Sequence, residues 1–337
     1  MSQTTLVQTI PAKAAALPPK ASKVSPNRPW KPYLELTRFS KPAGLLGFYF
    51  PYFIGFIFSL NTLPSGSLPP AASLAKLTAV FLLDGLLLRS FGCAWNDTID
   101  QDLDRQVERC KKRPLARGAL TTRAAVATTL LLAGARHVLL LATLPLRATH
   151  HALLVSALAF VYPFMKRLCD YPQLCLGTAV GWAVFLVDAA AAAATVEGPS
   201  PQSDAARRSK AVVALFAGQT LFNVTYDTVY AFQDLRDDLK AGVRSLAVRV
   251  RHGAKGFLFA LVGAMAAFLL AAAVLAGLLR GPFVAGAALA EAGAVVMLAR
   301  LDLEDPRSCR DFFVWGQWVV SGALVLGLAG ELLLANL

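Results

Sequence analysis

Histidine and cysteine are scarce in this 337-residue chain, and their scarcity removes several chemistries at once. The four histidines, His137, His150, His151 and His252, show no metal-ligand spacing. The five cysteines, Cys93, Cys110, Cys169, Cys175 and Cys309, are odd in number, scattered and without a CxxC pair. That speaks against a disulfide framework or a structural zinc site. Charge is thin as well: 16% of residues are charged and 56% hydrophobic, with a mean hydropathy of +0.53. A soluble domain of this length carries more charge, so the composition points to a membrane. The net charge is +12, yet no zinc-finger pattern, RNP aromatic set or long basic arm accompanies it. Nucleic acid is not an expected partner.

Acidic residues are missing altogether from residues 1–32, which hold Lys13, Lys20, Lys23, Arg28 and Lys31 among six prolines. A mitochondrial presequence shares the lack of acid but is also amphipathic and rich in arginine. The segment reads as a disordered basic cytosolic tail, with residues 33–337 as the membrane domain. An ER-type membrane fits this better than the mitochondrial inner membrane.

What the chain has in abundance is long apolar runs. Nine can be marked, at 43–60, 71–91, 124–143, 148–164, 174–196, 212–230, 257–279, 283–301 and 312–334. Most reach the roughly 17–25 residues a helix needs to cross a bilayer. The expected fold is therefore all-α, a polytopic bundle of about nine transmembrane helices. The third run is interrupted by Arg136–His137, the fourth is short, and His150–His151 reads as a loop between them. With this alternation, one face receives 25 lysines and arginines and the other 7. The positive-inside rule then places the N-terminus in the cytosol.

Both the second and the sixth runs end in carboxylates at the charge-rich face. The first cluster runs Asn96-Asp-Thr-Ile-Asp-Gln-Asp-Leu-Asp104 and the second centres on Asp234-Leu-Arg-Asp-Asp238, which hints at internal duplication. At about 100° per residue, Asn96, Asp97, Asp100 and Asp104 share one helical arc while Asp102 points away. Asp227, Asp234 and Asp238 share another. Crowded carboxylates repel unless cations neutralise them. Hard oxygen ligands in this number suit Mg²⁺ together with phosphate oxygens. Asp97, Asp100, Asp104, Asp227, Asp234 and Asp238 are the candidate metal ligands, and Asp97, Asp100, Asp234 and Asp238 the candidate catalytic residues.

Basic residues complete an anion site: Arg109, Lys112 and Arg113 follow the first cluster, and Lys240 and Arg244 the second. Tyr162 and Lys166, four apart, end the fourth run at the same face. A polar stripe, Gln219, Asn223, Tyr226, Asp227, Tyr230 and Asp234, marks the sixth helix. Polar side chains in a membrane helix face the bundle interior or a cavity, so the stripe reads as the lining of a pocket or as interhelical hydrogen bonding.

These motifs together resemble the UbiA superfamily of intramembrane prenyltransferases. Asn96, Asp97, Asp100 and Asp104 match its NDxxDxxxD motif, flanked by Arg89–Trp95 and by Arg109–Arg113. Tyr226–Ser245 looks like its second acidic motif, and Tyr162 with Lys166 its YxxxK element. Arg38-Phe-Ser-Lys-Pro-Ala-Gly44 resembles the opening of the 4-hydroxybenzoate polyprenyltransferase branch, except that Ser40 replaces the usual Asp. Phe48–Tyr52 looks like fungal members that prenylate polyketide aromatic acids.

The resemblance implies Mg²⁺-dependent transfer of a prenyl group, farnesyl by the fungal likeness, from its diphosphate to an aromatic acid in meroterpenoid biosynthesis. The substrate-binding set it implies is Arg38, Asn96, Arg109, Arg113, Tyr162, Lys166, Asn223, Tyr230 and Lys240, with the bilayer as surroundings. Phe48, Tyr52, Trp95 and Trp182 are candidates to steady a carbocation. Two alternatives stand beside this reading: 4-hydroxybenzoate prenylation in ubiquinone biosynthesis, and a cation-coupled transporter. Transporter carboxylates sit near the bilayer midplane rather than at helix ends.

Overall fold

In a computed structural model the chain is described over residues 28–39, 41, 43–64, 67–195, 202–279 and 281–335. Residues 1–27 of the basic tail, and Ser40, lie outside the described residues. The elements, in chain order, are α1 (Lys31–Leu36), α2 (Ala43–Asn61), α3 (Ala71–Ile99), α4 (Gln101–Asp104), α5 (Thr122–Thr143), α6 (Leu146–Leu168), α7 (Pro172–Gly181), α8 (Ala183–Ala193) and α9 (Gln202–Ala231). A 3₁₀ turn at Phe232–Asp234 leads to α10 (Leu235–Ala241), α11 (Leu246–Val250), α12 (Ala254–Ala276), α13 (Pro282–Arg300) and α14 (Pro306–Gly316). A π-helical segment, Gln317–Ser321, then joins α15 (Gly322–Leu334).

Among the described residues there is no strand, and eight helical spans are long and apolar enough to cross a bilayer, with α7–α8 and α14–α15 each counted as one. The thirty-residue α9 makes the ninth long helix. Its polar stripe keeps it out of the apolar set, because Gln219, Asn223 and Asp227 interrupt the run. Leucines such as Leu131 and Leu141 stand exposed on the outer surface, where lipid tails solvate them.

The third and fourth runs depart from the sequence expectation. α5 passes through Arg136–His137 unbroken, and His150–His151 lie inside α6 rather than in a loop. Arg136 is fully buried, so it is not a loop charge at all. Its Nε donates to Asp84 Oδ1 at 2.5 Å and its Nη1 to Ala152 O and Ser156 Oγ at 3.0 and 2.7 Å. Tyr52 donates its hydroxyl to Asp84 Oδ2 at 2.6 Å. Asp84 and Arg136 thus neutralise each other across α3, α5 and α6, which is how a charge survives inside a membrane bundle. Asp188 is held in the same manner by Arg208 at 2.5 Å and Ser59 at 2.8 Å. The fifth run is broken at Trp182, between α7 and α8.

Close packing elsewhere uses small residues. A Cβ on Gly286 would meet Ala323 O at 2.6 Å and the Gly327 Cα at 2.9 Å, so α13 and α15 touch backbone to backbone. At the charge-rich face, Gly242 ends α10 with φ +71°, a left-handed turn that glycine adopts without strain. Ser245 then caps α11 by accepting from the Val248 N–H at 3.2 Å.

Candidate active site

α3 delivers the first acidic cluster. The helix ends at Ile99, but Asp100 N–H donates to Asn96 O and Asp104 N–H to Asp100 O, at 2.9 and 2.8 Å. Helical phase therefore carries through into α4. Asp97, Asp100 and Asp104 turn inward and are 0%, 1% and 5% exposed, while the Asp102 side chain is 58% exposed. The arc read from the sequence is the one the fold builds.

Each inward carboxylate has a cation. Asp97 Oδ1 accepts from Arg38 at 2.7 Å and from Arg113 at 3.2 Å, and Arg113 also bridges to Asp104 at 2.8 Å. Arg38 holds this position with φ +56°, a left-handed conformation that costs a non-glycine residue energy. Asp100 accepts from Lys166 at 2.5 Å and from Arg167 at 3.0 Å. Lys166 also donates to Asn96 Oδ1 at 3.3 Å and lies 5.6 Å from the centre of the Tyr162 ring. Arg244 donates its backbone N–H to Lys166 O at 2.9 Å while its guanidinium grips Asp170 and Leu168 O. It therefore braces the end of α6, where the sequence had suggested an anion ligand.

Arg109, in the loop that follows the first cluster, reaches the second. This residue donates from Nε to Asp234 Oδ1 at 2.9 Å, again from Nη2 to Oδ2, and from Nη1 to the Tyr230 hydroxyl at 2.9 Å. Its guanidinium lies 4.9 Å from the Tyr230 ring centre, and the neighbouring Glu108 N–H donates to Asp237 at 3.0 Å. The 3₁₀ turn at Phe232–Asp234 was not foreseen; it breaks the single helical arc and brings Asp234 under Arg109. Asp227 and Asp238 both lie within electrostatic reach of Lys166 and Arg109. Burial first, and then Asp234, push the Asp238 carboxyl up to about 7. Burial likewise lifts Asp104 to about 6, against the pull of Arg113.

Eleven of the predicted positions are thus brought together from α3–α4, α6, α9–α10 and the loops beside them: Arg38, Asn96, Asp97, Asp100, Asp104, Arg109, Arg113, Tyr162, Lys166, Tyr230 and Asp234, with Asp227 and Asp238 alongside. Lys240 is not; its side chain is 79% exposed and its nearest acid is Asp237 at 3.7 Å. Asn223 is buried one level deeper and donates to Gln219 O at 2.7 Å. Among the described residues no three acidic, cysteine or histidine side chains converge on one ion-sized point, because basic groups stand between the carboxylates. Asp97 Oδ2 is nonetheless buried without a hydrogen-bond partner. A hard carboxylate oxygen with its lone pairs unused fits a divalent cation, so the donor set is compatible with Mg²⁺.

Several contributors escaped the sequence reading. Arg89 is 5% exposed and donates to Arg38 O and Lys41 O at 3.0 and 2.7 Å; among the described residues it has no carboxylate partner. An arginine inside an apolar run was the available signal. Phe313 of α14 lies against both Tyr226 and Tyr230, with ring centres 4.2 and 4.1 Å away. Nothing in its local sequence marks it. The aromatics suggested for cation stabilisation are anchored in the bundle. Tyr52 serves Asp84, Trp95 donates to Phe160 O at 2.8 Å and Trp182 to His151 at 3.1 Å. Phe48 packs against the apolar core.

Comparisons with known proteins bear on the family and the fold. The profile of the UbiA prenyltransferase family matches residues 46–322. The prenyltransferase ascA of Acremonium egyptiacum is 36% identical over 233 residues, covering 69% of this chain and 65% of its own. The chain thus spans just under two thirds of that relative's length. The DMOA farnesyltransferase nvfB of Aspergillus novofumigatus is 37% identical over 249 residues, or 73% of this chain and 74% of its own. Among solved structures, a UbiA homologue from Archaeoglobus fulgidus bound to GPP and Mg²⁺ superimposes with a TM-score of 0.64. That match is 17% identical and covers 91% of this chain and all of the other, so it bears on the fold.

Proposed function

The chain belongs to the UbiA prenyltransferase family and is a multi-pass membrane protein, and we propose that it is a prenyltransferase that moves a farnesyl group from farnesyl diphosphate to an aromatic acid. The observation that carries the reading is that the loop after the first acidic helix end reaches the second through Arg109, with cations on Asp97, Asp100, Asp104 and Asp234. Relatives named as prenyltransferases, one of them a farnesyltransferase, support the donor class. We read the acceptor as a polyketide-type phenolic acid made into a meroterpenoid. The alternative acceptor is 4-hydroxybenzoate.

The chemistry follows from the parts. The diphosphate binds where Arg38, Arg109, Arg113 and Lys166 converge, Arg by paired N–H bonds and Lys as a point charge. Asp97, Asp100, Asp104, Asp227, Asp234 and Asp238 would hold Mg²⁺, which when bound neutralises charge on the diphosphate oxygens. As the allylic C–O bond breaks, its electron pair leaves with the diphosphate, and the guanidinium and ammonium groups stabilise that anion. The aromatic ring attacks the allylic carbon beside a phenol oxygen, a C–C bond forms, and loss of the ring proton restores aromaticity. Tyr226, Phe313 and Tyr230 form an aromatic wall next to Asp234, placed to stabilise the cation by their π faces. The surrounding bilayer excludes water that would quench it. Arg89, a buried cation hydrogen-bonded only to carbonyls among the described residues, suits the acceptor's carboxylate. An N-terminus facing the cytosol and an ER-type membrane belong to the same proposal.

The test is product analysis. Microsomes carrying the protein are given allylic diphosphates of several lengths with 4-hydroxybenzoate or an orsellinic-type acid. The expected product is a ring-farnesylated acid formed only with Mg²⁺ present. Mg²⁺-independent turnover, or none with any aromatic acid, would overturn the proposal.

A further inference from the structure

A cavity of about 590 Å³ opens beside the acidic site, within the roughly 300–1,000 Å³ typical of small-molecule pockets. Phe232 and Leu235, on either side of Asp234 in the chain, form part of its wall, whereas Asp234 itself does not. The rest of the wall comes from the ends of two membrane spans, the start of α12 and the loop that leaves α13. That places the cavity at the level of the lipid head groups. A Cβ on Gly253 or Gly256 would meet nothing within 4 Å, so the α12 side stands open to an occupant. Phe232 and Leu301, 6% and 3% exposed, give an apolar floor.

Charge is divided between the two segments. The first brings Arg251, His252 and Lys255 to the cavity, and the second brings Asp302 and Glu304. Among the described residues none of the five belongs to an ion pair, within the cavity or outside it. Arg251 donates to Val248 O at 2.7 Å, and Asp302 Oδ1 accepts from the Glu304 N–H at 2.9 Å. A free phosphate would answer the basic segment and leave the acids unmet; a metal ion would do the reverse. A zwitterion with a phosphate and an ammonium group a few atoms apart answers both. A primary ammonium offers three N–H donors to the carboxylates, and a trimethylammonium offers none.

We infer that this cavity binds the phosphoethanolamine head group of a membrane lipid, with Arg251 and Lys255 on the phosphate and Asp302 and Glu304 on the ammonium. The bound head group links the loop after α13 to the start of α12 and covers Phe232 and Leu235. It thereby braces the 3₁₀ turn from the side away from Arg109. The same loop is tied to α14, since the Asp302 N–H donates to Ser308 Oγ at 3.0 Å and the Cys309 thiol to Asp302 O at 3.7 Å. A ligand that binds only the assembled arrangement stabilises it. Lipid binding here does not depend on the prenyl-transfer reading.

The experiment titrates the purified full-length protein in detergent with dioleoyl phosphatidylethanolamine, phosphatidylcholine and phosphatidylglycerol, and reads binding by native mass spectrometry. Wild type should bind phosphatidylethanolamine about fivefold more tightly than either of the others, the scale of one ion pair. The double variant Asp302→Asn/Glu304→Gln should lose that preference, and Asp302→Lys/Glu304→Lys should favour phosphatidylglycerol. Arg251→Gln/Lys255→Gln should weaken all three lipids by about fivefold, because all three carry the phosphate. Amide exchange over residues 232–241 should be slower in phosphatidylethanolamine-containing nanodiscs than in pure phosphatidylcholine, for wild type and not for the carboxamide variant. Equal affinity for the three lipids, or a preference that survives Asp302→Asn/Glu304→Gln, would overturn the inference. Water-soluble glycerophosphoethanolamine binding as tightly as the lipid would overturn the assignment to a membrane lipid, and unchanged exchange over 232–241 the bracing of the turn. Loss of the functional reading, by absence of prenyl transfer to any aromatic acid, would leave these lipid preferences in place.

Discussion

At the residue scale, the account turns on carboxylates that are buried yet never left alone. Asp97 is the sharpest case: one oxygen is shared by Arg38 and Arg113, the other has no partner. Asp97→Asn and Asp234→Asn are each expected to lower prenyl transfer by at least about a thousandfold, with helical content and membrane insertion unchanged by circular dichroism and extraction. Titration gives a second expectation. Asp238, near 7, and Asp104, near 6, are protonated below those values in the metal-free protein and must lose those protons to bind a cation. Mg²⁺ binding should therefore weaken as pH falls from 8 to 6, by about tenfold through Asp238 and about twofold through Asp104. The half-saturating Mg²⁺ concentration, measured across that range, checks it. These acids were legible in the sequence because carboxylates at fixed spacing are conspicuous in an apolar chain. Phe313 was not: its role comes from what the fold sets opposite it, and neither charge nor spacing reveals that, while Arg89 showed only as an arginine inside an apolar run, without its carbonyl partners.

At the scale of elements, the long helices could be read from hydrophobic length, and the errors fell where polar groups are paired inside the bundle. Arg136 looked like a break because an unpaired arginine would be one; its partner Asp84 lies fifty-two residues away in α3. α9 shows the reverse case, a helix that fails an apolar test because one face serves a pocket. The 3₁₀ turn before α10 and the π segment after α14 carry no sequence signal, since each is a local change of hydrogen-bond register imposed by packing. The Asp84–Arg136 pair yields a stability expectation. Arg136→Leu strands a buried carboxylate and should cost about 3–5 kcal/mol. Adding Asp84→Leu should recover most of that loss, read as the midpoint of thermal unfolding in detergent. Equal destabilisation by the single and double variants would contradict the pairing.

At the scale of the whole molecule, α3, α6 and α9 all end at one face, and that is what makes a site from separate motifs. Lys166 on α6 touches Asp100 at the end of α3, and Arg109 in the loop after α4 touches Asp234 beyond α9. The charge asymmetry of the loops follows the same face, where the proposed anion-binding residues also lie. Single cysteines at Lys112 and Lys240 should label from the cytosolic side of sealed microsomes, and one at Arg147 only after the vesicles are opened. Opposite labelling of Lys112 and Lys240 would break the site in two.

The most direct measurement is binding of a non-reactive farnesyl thiodiphosphate to the purified protein, with and without Mg²⁺, in wild type, Asp97→Asn and Asp234→Asn. The account predicts binding that requires the metal and is weakened at least about tenfold by either substitution, since each acidic helix end contributes to one diphosphate site. Binding indifferent to Mg²⁺, or lost with one substitution and untouched by the other, would contradict it.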